Sequence, residues 1–274
     1  MQKFEGIHFY VNVANFNEVV IDEESKNGKV NHSIHALDTF FSGIESFGKK
    51  KFPEKYVIEK ITGARLHMYV VDDVNEAYEI VEEVVKFAGD LSRYLNSDIA
   101  KYKTLLDFKI QVGACFGSFY NYEFKRQNAD EETTIGYAAN YAAKLQGLCN
   151  NGNIAISSNI FDTLNEEKKN KYVKHSSVKV QKYGEDCYYE MPISTTVIEA
   201  DRNEDENAKA NQLVISNDVY LMLKKDKPKW ADIFIKQNGY YYTTTGYNKL
   251  MNIISQEQLN INNRNNNYNG AWRE

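Results

Sequence analysis

Cysteines, long apolar runs and an excess of positive charge are all missing or scarce in this sequence of 274 residues. The three cysteines, Cys115, Cys149 and Cys187, form no CxxC pair, so reduced thiols in a cytoplasmic protein are expected. No stretch reaches the roughly 18 unbroken apolar residues of a membrane helix, and the first residues lack a secretory signal pattern. A formal net charge of -5 disfavours binding to duplex nucleic acid, but a cationic pocket for a small anion remains possible.

The sequence does contain short β-forming runs that alternate with amphipathic stretches over residues 1–195. Apolar residues three and four apart predict the helices, and runs rich in β-branched and aromatic residues predict the strands. The predicted elements are a strand at 8–13, a helix at 33–47, a hairpin at 56–61 and 65–71, a helix at 74–95, a second hairpin at 108–115 and 118–124, a helix at 136–148, a strand at 154–157, a helix at 159–171, and a strand pair at 178–182 and 187–191. This order predicts an α+β fold with helices packed against an antiparallel-rich sheet.

The chain beyond residue 195 divides into three stretches of different composition. Residues 196–210 are polar and acidic, which predicts a linker or exposed loop. Residues 211–256 are predicted to form a small strand–helix extension, which weakly echoes the strand and helix that begin at Ile154. Duplication and chance similarity explain that echo equally well. Residues 257–274 are rich in Asn, which predicts disorder.

Three segments in this order, Phe9–Asn17, Ile58–Leu66 and Thr133–Gln146, resemble the motifs of class III nucleotidyl cyclases. In that family the first is a strand with a metal-binding Asp, and the second is a hairpin with another Asp just after a Gly. The third is a helix with an Asn and a basic residue one turn apart. The phrases ITGARLH and GYAANYAAKLQ are most similar to the pyrimidine cyclases of the bacterial Pycsar anti-phage systems. The resemblance covers residues 1–195 and implies a catalytic domain with a ferredoxin-like α+β core.

The resemblance implies metal positions at Asn12, Val13 and Ala64, where a cyclase would hold two divalent cations, Mg²⁺ or Mn²⁺. Such cations activate the attacking 3′-hydroxyl and stabilise the leaving pyrophosphate. Neither Asn12 nor Ala64 is a carboxylate. An Asn oxygen is a weak neutral ligand and a methyl group is no ligand, so we expect metal binding to be badly compromised. The same two replacements are also those commonly introduced to disable a carboxylate site.

The resemblance gives the helix pair Asn140 and Lys144 the catalytic roles of orienting the ribose and stabilising charge on the α-phosphate. A separation of four residues places both side chains on one helix face, for which a merely solvated face is the alternative interpretation. The positions that select the base correspond to Lys60 and Thr133. A purine cyclase of adenine specificity has Asp at the second position, so Thr133 weakens a purine assignment and the motif phrases favour UTP or CTP.

Three further residues are candidates for contact with the substrate or for a simple structural role. Arg65 and His67 alternate with apolar neighbours on the predicted strand, and they either face the ligand or lie on an exposed sheet face. Lys182 lies near the position where the family places a Lys for the terminal phosphates. Glu59 is predicted to be a surface residue of its strand.

The resemblance implies a homodimer with two sites at its interface, each using metal positions from one chain and Asn140 and Lys144 from the other. The implied activity is conversion of UTP to a 3′,5′-cyclic nucleotide, cUMP, with release of pyrophosphate. This product would serve as an anti-phage signal that a separate cyclic-nucleotide effector reads. Asn12 and Ala64 favour the alternative, a degenerate cyclase fold that binds nucleotide or regulates a partner without chemistry.

Overall fold

The computed structural model describes residues 2–97, 100, 102–125, 131–193, 214–226, 228–232, 234–237, 240–242, 255–256 and 259. The predicted linker at 196–210 lies outside these residues, as does the predicted tail at 257–274 apart from Leu259. Within the described part of the chain, every helix is too short or too polar to cross a membrane.

An eight-stranded sheet forms the frame of the molecule. Its strands are β1 (Lys3–Val13), β2 (Tyr56–Thr62), β3 (Arg65–Val71), β4 (Ile110–Phe124), β5 (Glu131–Gly136), β6 (Asn153–Ile156), β7 (Val173–Ser176) and β8 (Cys187–Pro192). Their order is β2-β3-β1-β4-β6-β8-β7, and β5 pairs with β4. Only the β4–β6 pair is parallel among these described strands. The predicted α+β class, with a ferredoxin-like β2-β3-β1-β4 core, is therefore confirmed.

Helices cover both faces of this sheet. They are α1 (Phe16–Asn27), α2 (Asn31–Lys51), α3 (Ala77–Leu95), α4 (Tyr137–Gln146), α5 (Ser158–Asp162), α6 (Glu166–Lys169) and α7 (Val178–Gln181). Because successive side chains of a strand point to opposite faces, β1 supplies two cores. Phe9 and Val11 are fully buried in the cluster that contains α2 and α3, whereas Tyr10 packs on the smaller cluster under α4.

The predicted C-terminal extension contains a second, three-stranded sheet. Its elements are β9 (Val214–Ile215), α8 (Asn217–Asp226), α9 (Pro228–Ala231), β10 (Ile235–Gln237) and β11 (Tyr240–Tyr242), with strand order β10-β11-β9. Helix α8 buries Val219 and Leu223 in the cluster that contains α2 and α3. Asp218 also lies 2.8 Å from Lys50 of α2. The proposed domain limits themselves stay a prediction.

The predicted second hairpin around Gly117 is wrong, because β4 runs unbroken through this residue and forms its hairpin with β5. A Cβ atom on Gly117 would lie 2.9 Å from the ring of Tyr137. The glycine therefore allows the ring to approach the strand closely, and close approach of another group is one of the usual reasons for glycine within a strand.

The chain between β6 and β8 also departs from prediction. The helix expected at 159–171 is split into α5 and α6, because the Asn165 side chain accepts a hydrogen bond from the Lys168 amide and starts a new helix. The strand expected at 178–182 is the single-turn helix α7, which Ser177 caps in the same way. Strand β7 occupies the expected position beside β8 instead.

Helix α1 was not predicted from the sequence. Only Val19 and Glu23 of its residues are buried, so it lacks the apolar periodicity by which an amphipathic helix is recognised. Its end is better marked, because Gly28 adopts the left-handed conformation (φ 63°) that commonly terminates helices.

Gly113 holds α4 against the sheet, and substitution there tests this packing. A Cβ atom on Gly113 would lie 2.3 Å from both the Ala142 carbonyl oxygen and the Gln146 amide nitrogen of α4. We expect Gly113→Ala to lower the free energy of unfolding by on the order of 3 kcal/mol, measured by urea denaturation, because backbone must move. Gly147→Ala is the matched control, since its nearest atoms would be 3.7 Å away. Equal urea midpoints for the two variants would contradict this packing.

Candidate functional site

A pocket of about 410 Å³ lies where β1 ends beside the turn between β2 and β3. The Val13 amide donates a hydrogen bond of 2.9 Å to the Ala64 carbonyl, and Asn12 is opposite Arg65 in the strand register. Residues that lie more than fifty positions apart in sequence are therefore neighbours here. The lining residues are Asn12, Val13, Ala14, Phe16, Asn17, Thr62, Gly63, Ala64 and Arg65.

The chemistry of this pocket does not fit a pair of hard divalent cations. None of the described residues that line it carries a carboxylate. The Asn12 amide group donates to Gln111 Oε1 at 3.2 Å, and Ala64 presents a methyl group. Val13 is 1% exposed and its side chain packs in the core, so this residue offers at most backbone atoms to an ion. Mg²⁺ and Mn²⁺ favour sites with carboxylate oxygens, which these three positions lack.

The carboxylates of Asp72 and Asp73 are too distant to replace the missing ones. Asp72 and Asp73 follow the opposite end of β3 from Arg65. Six residue steps along a strand separate Arg65 from Val71, or about 20 Å at the usual rise. Asp72 instead pairs with Lys55 at 2.7 Å. The charged residue that lines the pocket is Arg65, which is solvent-exposed.

Helix α4 holds the predicted catalytic pair away from this pocket. Its buried residues face the sheet, namely Ala138, Ala139, Tyr141, Ala142, Leu145 and Gln146. Asn140 is exposed and Lys144 is half-buried, and neither lines the pocket of its own chain. Lys182 is exposed at the end of α7, and the adjacent Tyr183 stacks on Tyr141 of α4 with ring centroids 5.0 Å apart. Lys182 therefore lies near α4, and the predicted metal positions and the predicted catalytic pair form two separate groups on one chain.

The prediction that Glu59 is a surface residue is wrong, because its side chain is only 7% exposed. The pairing of β2 with β3 is irregular between Ile58 and Lys60, and such bulges redirect side chains. The Glu59 carboxylate accepts hydrogen bonds from the Thr133 hydroxyl (2.6 Å), the Thr134 amide (2.9 Å) and the Thr134 hydroxyl. Burial alone would raise the pKa of Glu59. Hydrogen bonds from His67 and the threonines outweigh burial and lower the pKa to about 2.

Two histidines, His67 on β3 and His8 on β1, extend this hydrogen-bonded network. His67 Nδ1 lies 3.1 Å from Glu59, and His67 Nε2 lies 2.9 Å from His8 Nδ1. His8 is fully buried, and its Nε2 has no hydrogen-bond partner among the described residues. Burial, and then the neighbouring His67, lower the pKa of His8 to about 3. His8 is therefore neutral at physiological pH.

The three side chains Glu59, His67 and His8 are close enough to be considered as metal ligands, with ligand atoms within 4.8 Å of one another. Their arrangement is nevertheless linear. One nitrogen of His67 faces Glu59 and the other faces His8, so the three do not converge on one point. We interpret the group as a hydrogen-bonded chain that fixes the orientation of Thr133.

The two predicted base-selecting positions both adjoin this network. Thr133 on β5 donates a hydrogen bond to Glu59. Lys60, which follows Glu59 in the chain, is opposite His67 in the strand register. No sequence pattern indicated the role of Glu59, since its partners lie at positions 67, 133 and 134. The sequence offers one weak indication, which is that Glu59 is a charged residue next to Lys60 within a β-forming run.

Comparisons with known proteins identify solved structures that share this architecture. No protein-family model matches the sequence, and no curated protein matches it. Among solved structures, a bacterial light-regulated adenylyl cyclase matches with a TM-score of 0.54 and 16% identity, over 74% of this chain and 54% of that chain. The adenylyl cyclase CyaB from P. aeruginosa matches with a TM-score of 0.52 and 15% identity, over 74% of this chain and 98% of that chain.

A third solved structure, a class III adenylyl cyclase-like ATP-binding protein from Pseudomonas aeruginosa, matches with a TM-score of 0.50 and 19% identity. That match covers 62% of this chain and 36% of the other. The chain thus spans about half the length of the light-regulated cyclase and about a third of the ATP-binding protein. These likenesses define the fold: this chain has the class III nucleotidyl cyclase fold.

Proposed function

We propose that this chain binds a nucleoside triphosphate in a class III cyclase-type homodimer and, as its sequence stands, cyclises it extremely slowly. The observation that carries the proposal is the pocket that unites Asn12, Ala64 and Arg65 without a carboxylate. The solved neighbours support nucleotide binding, because they are adenylyl cyclases and an adenylyl cyclase-like ATP-binding protein. The last of these is described as an ATP-binding protein, and nucleotide binding is the function proposed for this chain.

The separation of the two residue groups supports the homodimer. Asn140 and Lys144 lie outside the buried face of α4, and Lys182 is exposed next to Tyr183, which contacts α4. A two-fold axis would place this group of one protomer against the Asn12 pocket of its partner, twice per dimer. Each site would then contain cationic groups from both chains.

The base-selecting pair supports a pyrimidine nucleotide, with UTP preferred. Because the Thr133 hydroxyl donates its hydrogen to Glu59, the lone pairs of its oxygen can accept a hydrogen bond from a ligand. A uracil N3–H can donate to this oxygen while the Lys60 ammonium donates to the adjacent O4. The motif phrases around Arg65 and Asn140 favour the same substrate class.

An active pyrimidine cyclase is the second candidate, in which cUMP would be an anti-phage signal for a separate effector. The retention of Asn140 and Lys144 favours it, because these residues would act on the ribose and on the developing charge of the α-phosphate. In that case the chain itself would need a source of metal ligands outside the pocket described here.

Binding of the four nucleoside triphosphates, measured by isothermal titration calorimetry, tests the proposal. We expect UTP to bind most tightly, and Lys144→Ala to weaken that binding about tenfold through loss of a charge-assisted hydrogen bond. Lys174→Ala is the matched control, because Lys174 is an exposed residue of the edge strand β7. Light scattering should show a dimer in the presence of UTP. A strictly monomeric protein at high concentration would contradict the shared site.

A further inference from the structure

The pocket at the end of β1 is positively charged, as is typical of a site that binds anions. In a cyclase, two carboxylates place negative charge here, and cations must offset it before a triphosphate can enter. In this chain, the two positions are the neutral Asn12 and Ala64, and Arg65 lies opposite Asn12. Extending the proposed function, we infer that this pocket binds the phosphates of its nucleotide without a divalent cation, and that Arg65 supplies the positive charge.

The surroundings of Arg65 make it available for this role. Arg65 is exposed and makes no ion pair within the described residues. A guanidinium group donates two parallel hydrogen bonds to a phosphate, which a metal-free site can use directly. The other polar side chains of the lining, Asn12, Asn17 and Thr62, are neutral and can donate.

Among the described residues, neither Glu59 nor Asp72 competes for the guanidinium. Glu59 is fully engaged with His67, Thr133 and Thr134. Asp72 lies at the far end of β3 and is paired with Lys55. The pocket therefore has a net positive charge, and the free triphosphate, which carries more negative charge than its Mg²⁺ complex, should be attracted at least as strongly.

The test is calorimetric titration of UTP into the full chain in EDTA and in excess Mg²⁺. We expect the Kd in EDTA to equal or fall below the Kd in Mg²⁺. In EDTA, Arg65→Ala should weaken binding about tenfold, and Arg65→Lys should recover part of the loss because charge is kept without the bidentate geometry. Lys174→Ala should leave both values unchanged.

The double variant Asn12→Asp/Ala64→Asp provides the opposite case. Its two carboxylates should weaken UTP binding in EDTA about tenfold relative to Mg²⁺, because they repel the unscreened phosphates. A wild-type chain that binds UTP at least tenfold more weakly in EDTA than in Mg²⁺ would overturn the inference while leaving the proposed binding function intact. A folded dimer that binds none of the four triphosphates in either buffer would overturn both. Thermal melting of each variant checks that the fold is retained.

Discussion

Replacement of Asn12 and Ala64 together by Asp should raise the rate of UTP cyclisation by about a thousandfold or more over the unmodified chain. The two positions lie side by side, so both carboxylates would enter one pocket and again provide ligands for divalent cations. Even one such cation contributes several kcal/mol of transition-state stabilisation, and each 1.36 kcal/mol is a factor of ten in rate. Pyrophosphate release with each of the four triphosphates, in Mg²⁺ and in Mn²⁺, measures the effect.

The controls for this experiment use the second residue group. Asn12→Asp alone should recover much less activity, since one carboxylate does not complete the pair. Lys144→Ala added to the double variant should remove most of the gain if Lys144 acts on the α-phosphate. Ordinary turnover of UTP or CTP by the unmodified chain would show that the assignment of Asn12 and Ala64 is wrong. A double variant that binds nucleotide but remains silent with all four would establish a pure binding module.

Acidification from about pH 7 to about pH 4.5 should lower the free energy of unfolding by roughly 2 to 3 kcal/mol through His8 alone. The pKa of His8 is about 3 in the fold, against an ordinary value of 6.5, because the side chain is buried. The unfolded chain therefore takes up a proton as the pH falls below about 6.5, while the folded chain does not. The stabilisation is fully present above that pH and is lost progressively toward pH 3.

Glu59 adds little to the change in unfolding free energy between about pH 7 and about pH 4.5, so the measurement reports mainly on His8. Its pKa is lowered to about 2 from an ordinary value of 4.5, so its contribution is complete above about pH 4.5 and is lost only below that. Urea denaturation at several pH values should therefore show a flatter profile for His8→Phe above pH 4.5. His35→Gln, at an exposed histidine of α2, is the matched control. If the free energy of unfolding of His8→Phe fell with pH as steeply as that of the unmodified chain, His8 would be excluded as the cause of the acid destabilisation.

The elements that the sequence alone determined are those built on local, periodic signals. Helices α2, α3 and α4 carry apolar residues at helical spacing, and the β2–β3 hairpin has turn residues, Thr62 and Gly63, between two β-forming runs. Gly63 adopts the left-handed conformation (φ 58°) that this turn requires. In each case the information lies within a few neighbouring residues, so it can be recognised without the fold.

The tertiary structure decided everything that depends on distant partners. Gly117 is a strand residue because β4 pairs with β1 on both sides of it, and a turn would have looked the same in the sequence. Glu59 is a buried anion because a β-bulge and three hydrogen-bonding residues from two other strands surround it. The motif resemblance identified Asn12 and Ala64 separately. Only the pairing of β1 with the β2–β3 hairpin brings them together beside Arg65, because residues so far apart in sequence meet only through the register of the sheet.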